Sequence, residues 1–296
     1  MRTMAMALCG VLVCVAGCSP VGAPEGAIIR EYHGTDPEWI EQAKKLKEAG
    51  RLLEMKEVKA QLRKSSCQLS LPLVRSRPLS GGELWSLARN AHVRVGYYFL
   101  CSKCSKWHFN VAGGYAITAD GAVATCFHVV DPQNMKEGYL LAVTDAGDVL
   151  PVTEILAGSR FTDSCIVRIA PDKPLRPLPL SGRIAPGDDV WCYSDPANRP
   201  GFFSRGMVNR IYQHLHPASS KERYPVRINV SVEGAPGSSG AAVLDRFGNA
   251  VAHFSAVSVH GEKPRSAGTD QVHGSETVMV FHDTVRAADV LALIKP

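Results

Sequence analysis

Two serines stand side by side in Pro236-Gly237-Ser238-Ser239-Gly240, between two strand-like runs. A turn needs one or two glycines, not paired hydroxyls bracketed by them. A serine hydroxyl is a weak nucleophile until a neighbouring imidazole takes its proton. The imidazole must in turn be held in one tautomer, which a buried carboxylate does through the other ring nitrogen. The chain offers both groups: His128 closes "ITADGAVATCFHVV" and Asp163 heads "TDSCIVRIA". Glycine ahead of the serine lets backbone amides turn toward a developing oxyanion. Taken singly, these are a loop, a structural histidine and a turn aspartate. Taken together they spell acyl transfer, with Ser239 as nucleophile, Ser238 as the alternative nucleophile, His128 as base and Asp163 as its orienting partner.

A second group of reactive side chains lies in "LCSKCSKWHF", which holds Cys101, Cys104 and His108. A C-x-x-C pair is half of a zinc site or a redox pair. No second half-site is visible, and no thioredoxin-like βαβ pattern surrounds it. A local disulfide or a paired hairpin tip is expected, with structural zinc as the alternative. Cys126, Cys165 and Cys192 fall in apolar strand-like runs and read as buried thiols that fill space. No metal and no cofactor is expected for the main chemistry.

These groups must be carried by short strands. From His92 onward, strand-like runs alternate with turn signals such as Asp120-Gly121 and Gly248-Asn249. Many short strands at this spacing predict an all-β sandwich or barrels. Ahead of them, residues 36–64 read as a helical spacer, with Thr35 and Glu38 in a capping-box pattern, Pro37 in the first turn and Gly50 weakening the centre. Residues 65–78 read as a linker. Ser80 and Glu83 then cap a second short helix, and "DTVRAADVLALIKP" reads as a terminal one.

The chain has 296 residues, 45% hydrophobic and 21% charged, with a net charge of +5. That supports one large or two smaller cores. It supplies no clustered basic field, so nucleic acid is not an expected partner. The first residues, "MRTMAMALCGVLVCVAGCSP", have an early positive charge, a short apolar run and then small residues, as a secretory signal does. Their end, Val15-Ala16-Gly17-Cys18, resembles a bacterial lipobox; Cys9 and Cys14 lack small residues in front of them. That resemblance implies a signal peptide over 1–17, lipidation of Cys18, a tether over 18–35, and a periplasm-facing envelope location with the outer membrane favoured.

The catalytic segments resemble the trypsin-like serine proteases, and most of all the bacterial high-temperature-requirement (Deg) branch, here without a PDZ-like domain. The likeness is carried by "GGYAITADGAVATCFHVV", "TDSCIVRIA", "PGDDVWCYSDP" and "EGAPGSSGAAVLDRFGNAVA" over about residues 79–294. It implies a domain spanning 79–296, built as two six-stranded antiparallel β-barrels with a cleft between them. It gives His128, Asp163 and Ser239, in that order along the chain, as the triad, and the amides of Gly237 and Ser239 as the oxyanion hole. Ser255 would hydrogen-bond the catalytic carboxylate. Ala256 and Val257 would pair with an extended polypeptide substrate, and Glu233 is a candidate floor of the specificity pocket. Ser238 and Ala241 depart from the branch, which has Asn and Gly there. The implied activity is that of a lipid-anchored serine endopeptidase; the alternative is an inactive protease shell that binds peptides.

Overall fold

The computed structural model describes residues 29, 31, 35–131, 135–215, 223–262 and 276–295. The signal, the lipobox with Cys18 and nearly all of the tether lie outside the described residues.

The N-terminal region forms α1 (Pro37–Glu48), β1 (Leu53–Glu54), α2 (Met55–Gln61), β2 (Cys67–Gln68) and α3 (Gly81–Ala91). The single spacer helix expected from sequence is two helices, because Gly50 adopts φ +64° and ends the first. A side-chain-free residue is the one that takes this left-handed conformation without strain. The cap of α1 is Asp36, not Thr35: its carboxylate accepts from the Glu38 amide at 2.9 Å. Nor is the region a free spacer. Ala43, on the apolar stripe of α1, is fully buried with Leu141 and Val143, and Gln42 grips residues 147 and 149 through two hydrogen bonds. β1 pairs with the strand that carries Leu140, and Val58 of α2 is buried in the first core. The expected linker is also tied down. Asn249 brackets the backbone of Arg75 from both sides, at 2.7 and 3.0 Å.

The first half of the strand-rich region holds β3 (Val93–Cys101), β4 (Trp107–Ala112), β5 (Tyr115–Ala116), β6 (Ala122–Thr125), the short α4 (Phe127–Val130), β7 (Met135–Thr144), β8 (Val149–Ser159) and β9 (Ser164–Ile169). Among the described residues these make one sheet in the order β4-β3-β7-β8-β9-β6-β5, with β1 added on β7. The run β3-β7-β8-β9-β6-β5 curls until its ends meet, with His92 and Tyr115 in an isolated bridge and the Val93 amide donating to the Gly114 carbonyl at 3.0 Å, consistent with the first of the two six-stranded barrels expected. Its inward residues, among them Val95, Val123, Leu140, Val152 and Val167, form one core.

The second half holds β10 (Asp189–Ser194), β11 (Phe202–Tyr212), β12 (Arg227–Val230), β13 (Ala242–Leu244), β14 (Ala250–Glu262) and β15 (Glu276–Arg286). These close as β10-β11-β12-β15-β14-β13, the six-stranded antiparallel barrel expected. The terminal helix is shorter than its sequence suggests. β15 runs on to Arg286 because Thr284 is buried and its hydroxyl donates to the Ile228 carbonyl at 2.9 Å. Only Ala287–Leu291 is helical (α5), and Ile294–Lys295 (β16) then pairs in parallel with β2.

A third core fills the seam between the two halves. Leu84, Ala88 and Ala91 of α3 meet Ile117 and Ile166 from one side, Leu244 and Tyr193 from the other, and Ala287 and Val290 of α5. That seam fixes the relation between the strands that carry the candidate site.

Candidate active site

β6 ends at Thr125, and the chain turns into α4, which presents His128 with half of its side chain exposed. Asp163 precedes β9 in a left-handed conformation, φ +62°. That is uncommon for a residue other than glycine, though Asp tolerates it better than most. The conformation aims the carboxylate back at α4. Nδ1 of His128 lies 3.0 and 2.9 Å from the two carboxylate oxygens, and the His128 amide donates to Oδ1 at 3.0 Å. Ser255 donates its hydroxyl to Oδ2 at 2.7 Å. Burial by itself would raise the Asp163 pKa, but the hydrogen bond and charge of His128, with the Ser255 hydroxyl, outweigh it and hold it at about 2. The carboxylate is therefore ionised at neutral pH, and fixes the tautomer that leaves Nε2 able to accept a proton.

Ser255 reaches this place through a β-bulge. The register between β14 and β15 slips between Phe254 and Ala256, and the bulge turns the intervening side chain out of the alternation. The same residue touches Ser239, whose hydroxyl donates to the Ser255 carbonyl at 3.4 Å. Ser255 thus bridges the candidate nucleophile and the orienting carboxylate. Among the described residues the Ser239 hydroxyl and the His128 imidazole make no hydrogen bond. Such contacts are often long before substrate binds.

The neighbouring serine has a different fate. Ser238 is fully buried, its hydroxyl 3.1 Å from that of Ser194 and accepting from the Ala235 amide at 3.3 Å. It closes the turn and faces away from solvent. Gly237 has φ +104°, and a Cβ there would lie 2.5 Å from the Asp195 carbonyl. Gly240 has φ +84° and would press its Cβ on the Gly113 carbonyl at 2.1 Å. Both glycines are needed for conformation and for closeness. The loop they make leaves the amides of Gly237 and Ser239 without hydrogen-bond partners among the described residues.

Ala256 and Val257 pair with Asp283 and His282 on one side only. β13 accompanies β14 no further than His253, so among the described residues the other backbone edge stays open beside Ser255. Glu233 is exposed; its amide donates to Ser204 Oγ at 3.1 Å, and its carboxylate contacts no charged group among the described residues.

Two features of the site were not legible in the sequence. Asp195, after β10, is buried against His92 Nε2 at 3.0 Å and Arg94 Nε at 2.6 Å, and accepts from the Gly201 amide at 2.8 Å. Burial would raise its pKa, but the charge and hydrogen bond of His92, then Arg94, drive it far below the ordinary carboxylate value. This network carries the backbone on which Gly237 rests. An arginine alternating inward on a strand, as Arg94 does in "HVRVGYY", is the one sequence signal that asks for such a partner.

The second is His253, fully buried with neither ring nitrogen hydrogen-bonded among the described residues. Burial lowers its pKa to about 4, against the pull of the nearby Asp163 carboxylate. The unfolded chain takes up this proton near the ordinary histidine value and the folded chain does not. Stability is therefore full above about pH 6.5 and falls as pH drops toward 4, by about 3 kcal/mol from this residue. Chemical denaturation at stepped pH should show that slope, and His253→Leu should flatten it. Asp163 acts only lower, since its ordinary pKa lies near 4.

Two clusters have metal-ligand chemistry among the described residues: Cys126 with His128 and Asp163, and Cys101 with Cys104 and His108. In the first, the Cys126 thiol is buried, donates to the Phe254 carbonyl at 3.0 Å, and has its pKa raised well above the ordinary value by burial. It stays protonated, which suits neither a metal ligand nor a nucleophile. Cys165 and Cys192 are likewise buried free thiols, as expected.

Residues 112–252 match the family model of the trypsin-like peptidase domain. That match and the two-barrel fold are those of a trypsin-like peptidase domain. The fold is shared with the solved structure described as "HtrA-type protease AlgW with tripeptide", at 16% sequence identity and a TM-score of 0.52. That likeness covers 73% of this chain and 62% of the other, so this chain spans less than two thirds of that protein's length. Among curated proteins none matches the sequence.

Proposed function

We propose that this protein is a serine endopeptidase of the high-temperature-requirement branch that cuts polypeptides through a His128–Asp163–Ser239 triad and an acyl-enzyme intermediate. The observation that carries the reading is the chain of contacts from His128 Nδ1 to Asp163, on to Ser255 and to Ser239, beside two unpartnered amides. In this reading Ser239 attacks the scissile carbonyl while His128 Nε2 takes its proton. The amides of Gly237 and Ser239 receive the oxyanion. The substrate lies as an added strand along Ala256 and Val257, and Glu233 is the candidate for selecting a basic side chain.

One observation favours a second reading, a protease shell that only binds peptides: the Ser239 hydroxyl donates to the Ser255 carbonyl and not to His128. A fluorophosphonate probe separates the two. Labelling of the wild-type and Ser238→Ala proteins, lost in Ser239→Ala, is expected of the enzyme. A folded wild-type chain that takes no label supports the binding shell.

The protein is further proposed to be a lipoprotein, with signal peptide 1–17, Cys18 lipidated, a tether over 18–35 and a periplasm-facing catalytic domain on the outer membrane. Val15-Ala16-Gly17-Cys18 supports this, and two or more acyl chains hold where one does not. Among the described residues no helix is long and apolar enough to cross a membrane. Cys18→Ala should move the protein from the membrane pellet to the soluble fraction; retention in the pellet would sink the lipid assignment.

A further inference from the structure

The hairpin of β3 and β4 carries a cluster that peptide hydrolysis does not use. Cys101 is the last residue of β3, and Phe99 two residues earlier pairs with His108 of β4. Alternation along the strands puts Cys101 and His108 on one face of the ribbon, in diagonal register. The intervening turn brings Cys104 onto the same spot: its Sγ lies 2.9 Å from His108 Nε2. All three donor atoms lie within 4.8 Å of one another. Among the described residues neither thiol is engaged in a disulfide.

The turn is shaped around sulfur. The Lys103 amide points at Cys101 Sγ from 3.4 Å, and Ser105, directly after the second cysteine, takes the left-handed conformation at φ +55°. The Cys101 amide then closes the turn on the Lys106 carbonyl at 2.9 Å. The Lys136 ammonium reaches in from β7 to Ser105 Oγ at 2.9 Å, and a nearby cation suits a thiolate.

We propose that Cys101, Cys104 and His108 bind one zinc ion through two thiolates and one imidazole, with solvent in the fourth position. With Zn–S about 2.3 Å and Zn–N about 2.0–2.1 Å, a tetrahedron places its donor atoms roughly 3.5–3.8 Å apart. The cluster needs only a small widening between Cys104 and His108 to reach this. Two soft sulfurs and a nitrogen, with no carboxylate in the set, exclude calcium and magnesium as the natural ion. No electron is transferred: the metal replaces two thiol protons and the imidazole coordinates neutral. The ion would pin a hairpin tip that otherwise rests on a strained turn.

The test uses the full-length protein, reduced, stripped of metal and kept anaerobic, with cobalt(II) as a spectroscopic probe. The expected result is one equivalent bound with the intense visible bands of tetrahedral cobalt and a sulfur charge-transfer band. Zinc should displace the cobalt and raise the Tm. Cys104→Ser and His108→Ala should each weaken cobalt binding at least tenfold while leaving the metal-free Tm unchanged, and these variants also remove any doubt over the cysteines of the leader. Loss of metal should leave fluorophosphonate labelling of Ser239 intact, so this inference and the catalytic reading fail separately. A reduced wild-type protein that gives only weak octahedral cobalt bands, or a Cys104→Ser variant that binds as tightly as wild type, would overturn the site. So would a Cys101–Cys104 disulfide that resists mild reduction.

Discussion

Asp163→Asn is expected to lower kcat/KM at neutral pH by about four orders of magnitude, some 5.5 kcal/mol of transition-state stabilisation. The reason lies in how crowded the carboxylate is. It receives the His128 ring nitrogen, the His128 amide and the Ser255 hydroxyl. An asparagine must satisfy the same three donors with one acceptor oxygen and an amino group. The oxygen stays with the backbone amide and the hydroxyl, and the amino group turns to Nδ1. Nδ1 then becomes an acceptor, Nε2 carries the proton, and the ring can no longer take one from Ser239. Because the fault is tautomeric, activity should recover partly as pH rises and the serine loses its proton more readily. Steady-state kinetics on a peptide substrate across pH would show this. A loss of less than tenfold would mean that Asp163 does not orient the base.

Asp195→Ala is the second large effect, a destabilisation of about 3–5 kcal/mol by urea unfolding. Arg94 and His92 are buried, and Asp195 is the close counter-charge of Arg94 and the hydrogen-bond partner of His92 Nε2. Asp145 approaches Arg94 only to 3.9 Å. Removing the carboxylate leaves a guanidinium out of water with no adequate partner. A loss of this size is a large part of the 5–15 kcal/mol that holds a typical domain. The variant should also lose Ser239 labelling at temperatures where it remains folded, because the Asp195 backbone supports Gly237. An Asp195→Ala protein with wild-type stability would show that water solvates the pair.

Much of the site was legible because its pieces are local in sequence. The hairpin before His128, the strand after Asp163 and the glycine-flanked serines each carry their own pattern, and the structure brings the first two into direct contact. The choice between Ser238 and Ser239 needed the fold: only packing against Ser194 decides which hydroxyl is buried. Asp195 lies at the end of the strand-like run "PGDDVWCYSDP", and nothing near it in sequence reveals that His92 and Arg94 face it from a different sheet. The same blindness to distant partners explains the helices. Gly50 looks like a weak point in one long amphipathic pattern until β1 needs the chain to stop and pair with β7. The sequence after Asp283 has good helix formers, yet β12 recruits Thr284 into a ladder. Alternation revealed strands throughout but could not show which strands pair around each barrel.

The strapping of residues 36–78 over both halves of the molecule bears on how the fold would tolerate proteolysis. A nick ahead of Ser80 would uncover Leu141 and Val143 where Ala43 now lies, and would free the Arg75 backbone from Asn249. Trimming close to Ser80 would therefore come at the cost of the fold, whereas a cut before Asp36 would leave these contacts intact.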